Sequence, residues 1–510
     1  MSAHPCVIGV VGTGAMGRGI AQIMAAAGSH VKMFDASASA AQDALAFIGK
    51  MLTRAAEKGR MSAADAQAAA RRIEIIADKR DLAQADVVIE AIVEQLEPKQ
   101  ALFAELEEIV SPDCILASNT SSLSITAIAS RCRSRERVAG FHFFNPVPLM
   151  KIVEVVPGLQ TAQRTVDALV ALGEGAGHSV VRTRDTPGFL INHIGRGFGT
   201  EALRIHGEGV ASFGEIDAVM REAAGFRMGP FELLDLTGID VSDAVSKSIY
   251  HQFFEEPRFR PSIETGLRVA AGTFGRKTGA GFYSYGGQDG GAAVPELPEA
   301  EFSGSLWLSR DDARGHDVAR TLLDEAGLPF ADDGAPGADA LCLVTPTGED
   351  TTACALRLGL DPARTIAIDT LFAGCGRLTL MGTPLTPRRL VETLAGALQR
   401  GGRKAVVTSD SPGFIAPRIV AHIINIACEI AQQEIGSPDD IDLGARLGLG
   451  YPKGPLEWGD ALGAARVLDI LQGLQSATGD PRYRASMWLV RRARLGVSLK
   501  TPDHMAGEAG

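Results

Sequence analysis

The chain has 510 residues, enough for three or four domains at roughly 100–200 residues each. Hydrophobic residues at 45% and charged residues at 22% suit packed globular domains and exclude global disorder or a fibrous class. Aromatics are only 5%, and 61 acids stand against 50 bases, so no nucleic-acid partner is expected.

Residues 6–11 (CVIGVV) form a short apolar run that turns into glycines. Residues 15–28 carry Met16, Ile20, Ile23 and Met24 on one helical face and end at Gly28. VKMFD (31–35) reads as a second strand closing on an acid. Strand, glycine turn, helix and strand make one βαβ unit, which requires a parallel sheet. Ala-rich helices are expected at about 39–72, then strands at 85–92, 114–119 and 137–144. From about 188 to 255 the texture is helical. Residues 286–304, rich in Gly, Pro and acids, read as a linker. Beyond it LWLSR (306–310), DALCLVT (339–345) and TIAID (365–369) read as strands, and 412–495 as helical.

The N-terminal run is read as a strand and not a signal peptide. No uncharged apolar stretch reaches about 18 residues, so no membrane partner is expected. The seven cysteines are scattered without metal-ligand spacing, so neither a metal nor disulfides are expected, and a cytoplasmic protein is.

An internal repeat organises the chain. DTPGF (185–189) recurs as DSPGF (410–414), and GPFELLDLTG (229–238) as GPLEWGDALG (454–463). Both matches share one offset of 225, and the similarity extends upstream to 161–183 against 386–408. The chain therefore reads as two copies of an α/β-plus-helical module. The expected architecture is an α/β Rossmann-type domain (1–184), an all-α domain (185–285), the linker (286–304), a degenerate Rossmann-like domain (305–408) and a second all-α domain (409–510).

GTGAMG places Gly12, Gly14 and Gly17 in a G-x-G-x-x-G pattern. A chain with this much glycine yields about 0.7 such matches by chance, so the context decides. A strand precedes the pattern, a helix follows, and Asp35 ends the next strand. Gly12 permits the tight turn, Gly14 lets backbone approach a pyrophosphate, and Gly17 lets the helix pack on the strand. The helix N-terminus favours phosphate, and Asp35 accepts from a ribose diol while repelling a 2′-phosphate. NAD is the expected cofactor. The second copy has no such loop.

Ser121 follows a strand in SNTSS, His142 lies in GFHFFNP, Glu154 in KIVEVVP and Asn192 in PGFLINH. A histidine held by a glutamate is a base suited to an alcohol proton near neutral pH. Taken singly, the same residues read as a core histidine, an ion-pair partner, a helix cap and a capping amide.

GFHFFNPVPLMKIVEVV, SNTSSLSIT, DTPGFLINH and GRKTGAGFYSY (275–285) together resemble the L-3-hydroxyacyl-CoA dehydrogenases, over essentially all of 5–285. The two-copy layout resembles the long bacterial branch, which includes the 3-hydroxyadipyl-CoA and 3-hydroxybutyryl-CoA type enzymes of phenylacetate degradation. The resemblance implies that His142 takes the 3-hydroxyl proton as hydride leaves C3 for NAD, that Glu154 orients His142, and that Ser121 and Asn192 bind the reacting oxygen. It places Glu94 and Lys99 near the nicotinamide half of NAD, with Gln95 where an asparagine is usual, and Lys58 near the CoA phosphates. An acyl-CoA thioester is the implied substrate.

In the second copy the offset of 225 puts Ala367 opposite His142 and Pro417 opposite Asn192, so one active site per chain is expected. The chain is expected to be a monomer with its two helical domains as an intrachain pseudo-dimer, or a homodimer. Two other readings stand beside the dehydrogenase: a superfamily member acting on a free hydroxy or sugar acid, and a non-catalytic NAD-binding protein.

Overall fold

The computed structural model describes residues 6–286, 296–374 and 376–503. Residues 287–295 of the expected linker, Cys375 and both chain ends lie outside them. The chain divides into two bodies, Met1–His193 with Gln433–Leu449, and Ile194–Gln432 with Gly450–Gly510.

The first body is built on eight strands: β1 (Val7–Val11), β2 (His30–Phe34), β3 (Ile73–Ile75), β4 (Val87–Glu90), β5 (Ile115–Ser118), β6 (Val138–Phe143), β7 (Ile152–Pro157) and β8 (Ser179–Arg182). Their order is β3-β2-β1-β4-β5-β6-β7-β8. The strands are near-continuous apolar runs because helices cover both faces. Ile8, Val10, Met33, Ile89, Phe141 and Phe143 pack on one side, and Leu82, Val88, Phe103, Leu116 and Val156 on the other. The expected helical stretch 39–72 is two helices, Ala38–Glu57 and Ala63–Arg71, the second capped by the Ser62 side chain.

The sheet is not wholly parallel as the βαβ pattern suggests. β6 and β7 run antiparallel, with His142 directly opposite Glu154. The eight residues between these strands are too few for the crossover a parallel pair needs.

The second body holds five strands: β9 (Leu306–Leu308), β10 (Leu341–Val344), β11 (Thr365–Ile368), β12 (Arg377–Gly382) and β13 (Lys404–Thr408), in the order β13-β12-β11-β10-β9. β11 and β12 are antiparallel and the other pairs parallel. This reproduces β4 to β8 in order and direction. LWLSR is thus the counterpart of β4 and not of the glycine-loop strand, and among the described residues the second sheet has no equivalent of β1, β2 or β3. The repeated aspartate confirms the match. Asp185 accepts from Ile125 N, Thr126 N and Ser124 Oγ at 2.8–2.9 Å. Asp410 likewise accepts from Thr351 N, Thr352 N and Thr352 Oγ1.

Helices of both copies interleave in the second body. Glu201 of the first copy is buried against Arg418, Arg482 and Tyr483 of the second, with Arg418 Nε at 2.6 Å and Tyr483 Oη at 2.7 Å. Burial raises the proton affinity of Glu201, but Arg482 and Arg418 outweigh it and hold the carboxyl far below its ordinary range.

The copies also exchange a helix. The helix Phe213–Glu222 of the first copy packs on β12 of the second body, and Ser409 N donates to Val210 O at 2.9 Å. In the first body the helix Pro438–Gly448 of the second copy packs on β7 and β8, and Arg184 N donates to Ile435 O at 2.9 Å. The two backbone bonds are related by the repeat offset. No helix of the described residues is long and apolar enough to cross a membrane.

Candidate active site

The glycine loop joins β1 to the helix Ala15–Ala26. Gly12 has φ +96°, and a methyl there would stand 2.5 Å from Ala91 O. A methyl at Gly17 would stand 1.8 Å from Gly12 O, so helix and turn can approach only with glycine. Nothing lies within 4 Å of the methyl position at Gly14, which leaves the loop backbone open to a ligand. Gly14 is also the N-cap and brings no side chain to the first N–H groups of the helix. The three glycines thus form the strand–turn–helix joint expected from their spacing.

Asp35 faces this loop. Its Oδ2 accepts from Thr13 N and Thr13 Oγ1 at 2.8 and 2.9 Å, and its Oδ1 from Ser37 N at 2.9 Å. Burial raises its proton affinity, but these donors prevail and hold the carboxyl below its usual range. A crevice of about 560 Å³ opens here, lined by Gly12, Gly14, Asp35, Ala36, Ile92 and Val93 among others. It suits a dinucleotide: open backbone and a helix N-terminus for pyrophosphate, a fixed carboxylate for a diol. The ordered position of Thr13 was not legible in the sequence.

The next crossover carries an acidic cluster. Glu90, at the end of β4, is fully buried and accepts from Lys99 Nζ at 2.5 Å, Ser118 Oγ at 2.6 Å and Ile92 N at 2.7 Å. Lys99 Nζ also lies 3.3 Å from Glu94 Oε2. Glu94 Oε1 accepts from the backbone N–H groups of Ser121 and Ser122 and from the hydroxyls of Thr120, Ser121 and Ser122. Burial pushes the Glu94 carboxyl up, while Lys99 and these donors bring it below its ordinary range. Glu94, Lys99 and Ser121 are therefore one network. Glu90 was missed; a glutamate ending an apolar strand was the available signal.

His142 and Glu154 are twelve residues apart in sequence and face each other across the β6–β7 ladder. Cross-strand partners project from the same face of a sheet, so the register alone brings the side chains together. His142 Nδ1 and Glu154 Oε2 are 2.6 Å apart. His142 is 4% exposed and Glu154 0%. With the carboxylate at Nδ1, that nitrogen carries the proton and Nε2 presents its lone pair. The other carboxylate oxygen, Oε1, accepts from Leu190 N at 3.0 Å and Ile191 N at 2.8 Å. Phe144 and Phe189 lie against the imidazole, with ring centroids at 4.4 and 5.8 Å.

Ser121 lies beyond the C-terminal end of β5, the parallel neighbour of β6. Asn119 between them accepts from Phe143 N at 2.9 Å, tying the two strand ends together. Asn192 directly follows the two N–H groups that hold Glu154. Lys58 sits at the C-terminal end of the helix Ala38–Glu57, is exposed, and makes no side-chain hydrogen bond or ion pair among the described residues. Nor do the described residues contain a group of three His, Cys, Asp or Glu that could hold a metal.

In the second body the strand pairing corrects the residue matching. Asp369 N donates to Thr379 O at 3.0 Å, which continues the β11–β12 register. Thr379 stands where Glu154 does, at an offset of 225, but its partner is Asp369 and not Ala367, because the connection is two residues shorter. Asp369 is buried and accepts from Leu371 N at 2.9 Å. Burial raises its carboxyl to about 7, against partial relief from the Leu371 and Phe372 N–H groups. The space here is about 10 Å³, closed by Thr347, Phe414, Pro417, Arg466 and Ile470.

The family model for the 3-hydroxyacyl-CoA dehydrogenase NAD binding domain matches residues 7–186, and that for the C-terminal domain matches 188–285 and again 413–505. The chain is 38% identical to a 3-hydroxyadipyl-CoA dehydrogenase of Escherichia coli K12 over 96% of its length and 97% of that protein. It is 41% identical to a probable 3-hydroxybutyryl-CoA dehydrogenase of Bacillus subtilis over 54% of its length and 96% of that protein. The crystal structure of a 3-hydroxybutyryl-CoA dehydrogenase from E. coli K12 superposes with a TM-score of 0.87 at 38% identity, covering 96% of this chain and 99% of that one. With a glycine loop built for NAD and two copies of the C-terminal domain, the chain belongs to the 3-hydroxyacyl-CoA dehydrogenase family and is an NAD-dependent enzyme of it.

Proposed function

We propose that the enzyme oxidises (S)-3-hydroxyacyl-CoA thioesters to 3-oxoacyl-CoA, with His142 as general base. The observation that carries this reading is the His142–Glu154 pair, 2.6 Å apart and buried at the end of β6. His142 Nε2 accepts the 3-hydroxyl proton: the O–H bond breaks as N–H forms. The Glu154 carboxylate stabilises the imidazolium and fixes the ring. Ser121 and Asn192 donate to the reacting oxygen as it becomes a carbonyl. Bound in the glycine-loop crevice, NAD supplies the acceptor for the C3 hydride. Glu94 and Lys99 shape the nicotinamide end, and Lys58 is assigned to the CoA phosphates.

The domain division at 184, 285, 304 and 408 belongs to this reading, as does a role in phenylacetate or fatty-acid catabolism. So does a monomer in which the two helical domains pair as a pseudo-dimer. A tail ending in a carboxylate needs a cation. Arg196, Arg204, Arg221 and Arg227 lie on the first helical domain; Arg204 is engaged by Glu208 and Asp480, Arg221 by Glu232, and Arg196 donates to Ser246 Oγ at 3.0 Å.

The test is NADH formation at 340 nm with (S)-3-hydroxybutyryl-, hexanoyl- and adipyl-CoA, beside His142→Gln. Turnover on the thioesters, with the adipyl member favoured, and its loss in the variant are expected. Turnover of free hydroxy acids without CoA, or tight NAD binding with no turnover, would overturn the reading.

A further inference from the structure

Glu154 is held from two sides, and one of them leads to the second copy. Its Oε1 takes the N–H groups of Leu190 and Ile191, whose side chains are both fully buried. They rest on the segment Gln433–Leu449, which the second copy contributes to the first body. Methyl groups placed on three glycines of that segment would run into them. At Gly436 the methyl would stand 3.0 Å from Leu190 Cδ1, and at Gly444 3.2 Å from Ile191 Cγ1. At Gly448 it would stand 2.8 Å from both Ile191 Cδ1 and Ile191 Cγ2. Ile191 is branched at Cβ and lies in a helix, where one χ1 rotamer dominates, so moving Cγ2 aside costs an unfavourable rotamer or a shift of the backbone that carries its N–H.

We propose that the exchanged helix Pro438–Gly448 is a positioning element for the His142–Glu154 pair, with Gly448 as its critical residue. The inference rests on the general-base reading above. Two observations set it apart from ordinary packing. Alanine is the better helix former, and no positive φ demands glycine at 444 or 448, so local helix stability favours a side chain there. The reciprocal helix of the first copy, which packs on the sheet with the closed site, has Ala211, Val219 and Ala223 at the matching positions. The residues matching Leu190 and Ile191 are Ile415 and Ala416. The side supporting His142 pairs a large Ile191 with glycine, whereas the other side has alanine at both positions.

The test uses the full chain with Gly448→Ala, Gly444→Ala, Ile191→Ala and the Gly448→Ala/Ile191→Ala double variant. Gly448→Ala is expected to lower kcat about tenfold while leaving KM for NAD and acyl-CoA within about twofold, as misalignment of a catalytic group does. Withdrawing the Ile191 N–H concentrates carboxylate charge on Oε2, favours the imidazolium, and moves the acidic limb of kcat/KM to higher pH. Gly444→Ala should give a smaller effect of the same kind. In the Ile191→Ala background Gly448→Ala should cost nothing further or restore activity, since the clashing atoms are gone.

Wild-type kcat and pH profile in folded Gly448→Ala and Gly444→Ala would overturn the proposal. So would an equal loss from Gly448→Ala with and without Ile191. If Gly448→Ala fails to fold, Gly444→Ala and the double variant decide by the same criteria. Activity retained in His142→Gln would instead sink the base assignment. A dead His142→Gln beside an unaffected Gly448→Ala would sink only the positioning role.

Discussion

The β4–β8 half of the first sheet and the β9–β13 sheet share strand order, directions and an aspartate after the last strand that takes the first N–H groups of the helix between the second and third strands. They also share the strained turn before the next helix: Gly188 and Phe189 have φ +76° and +49°, and Gly413 and Phe414 have +76° and +55°. The chemistry differs completely. One copy places His142 opposite Glu154; the other places Asp369 opposite Thr379 and has Pro417 in place of Asn192. The backbone frame is thus separable from the chemistry mounted on it. Among the described residues the second copy lacks counterparts of the first three strands and the glycine loop but has the helix that completes the first copy's body. Its shared features are those of a scaffold.

The sharpest way to break this comparison is to exchange the key residue of each site. His142→Gln should lower kcat by about a hundredfold to ten-thousandfold, the range of a general base, with NAD affinity by titration unchanged. Asp369→Asn should leave kcat and both KM values within about twofold. A comparable loss in Asp369→Asn would mean that the second sheet takes part in turnover.

A smaller loss is expected from Glu154→Gln. The side-chain oxygen can still accept from Leu190 and Ile191, but the amide then donates to Nδ1 and forces the proton onto Nε2. The lone pair no longer faces the substrate, and kcat should fall about a hundredfold with folding intact by circular dichroism. An unchanged kcat would show that the carboxylate does not set the tautomer.

Much of the first site was legible because local sequence determines it. The glycine spacing fixes the turn, the helix start and the position of Asp35, and all three appear as read. The His142–Glu154 pair was legible as two residues but not as a geometry. Their contact comes from antiparallel register, which a spacing of twelve does not reveal without the turn between them. Glu90 and Asn119 escaped because a single polar residue at a strand end carries no periodic signal. The Leu190–Ile191 backbone donors cannot be seen from side-chain identities at all. Ala367 was matched to His142 for the converse reason: a gapless offset holds through β12, and the two-residue shortening before it shows only when strands are paired.

Asp35 tests the cofactor half, which has no counterpart among the described residues of the second sheet. Asp35→Ala removes the proposed diol acceptor and the acceptor for Thr13, so KM for NAD should rise about tenfold, the scale of one charge-assisted hydrogen bond, with little change in kcat. NADP should be used relatively better, since no carboxylate repels its 2′-phosphate. If NAD and NADP kinetics were both unchanged, the diol would be recognised elsewhere.

The smallest expected effect concerns stability alone. The Asp369 carboxyl is raised by burial to about 7 in the folded chain, against about 3.9 when unfolded. The native state therefore holds a proton there that the unfolded state releases between these values. Its stabilising contribution is complete below about pH 4, declines as pH rises through about 7, and is flat above. In Asp369→Asn the amide does not titrate, and its oxygen can still accept from Leu371 and Phe372. The melting temperature of Asp369→Asn relative to the parent should therefore increase between about pH 4 and 8, by a few degrees at the upper end. A constant difference across that range would mean that the carboxyl is already ionised in the folded protein at about pH 4. The closed site would then have to supply a cationic partner, for which Arg466, in its lining, is the candidate. Arg466→Gln in the same melts would separate the two cases, because it destabilises the chain at high pH only if the guanidinium neutralises an ionised Asp369.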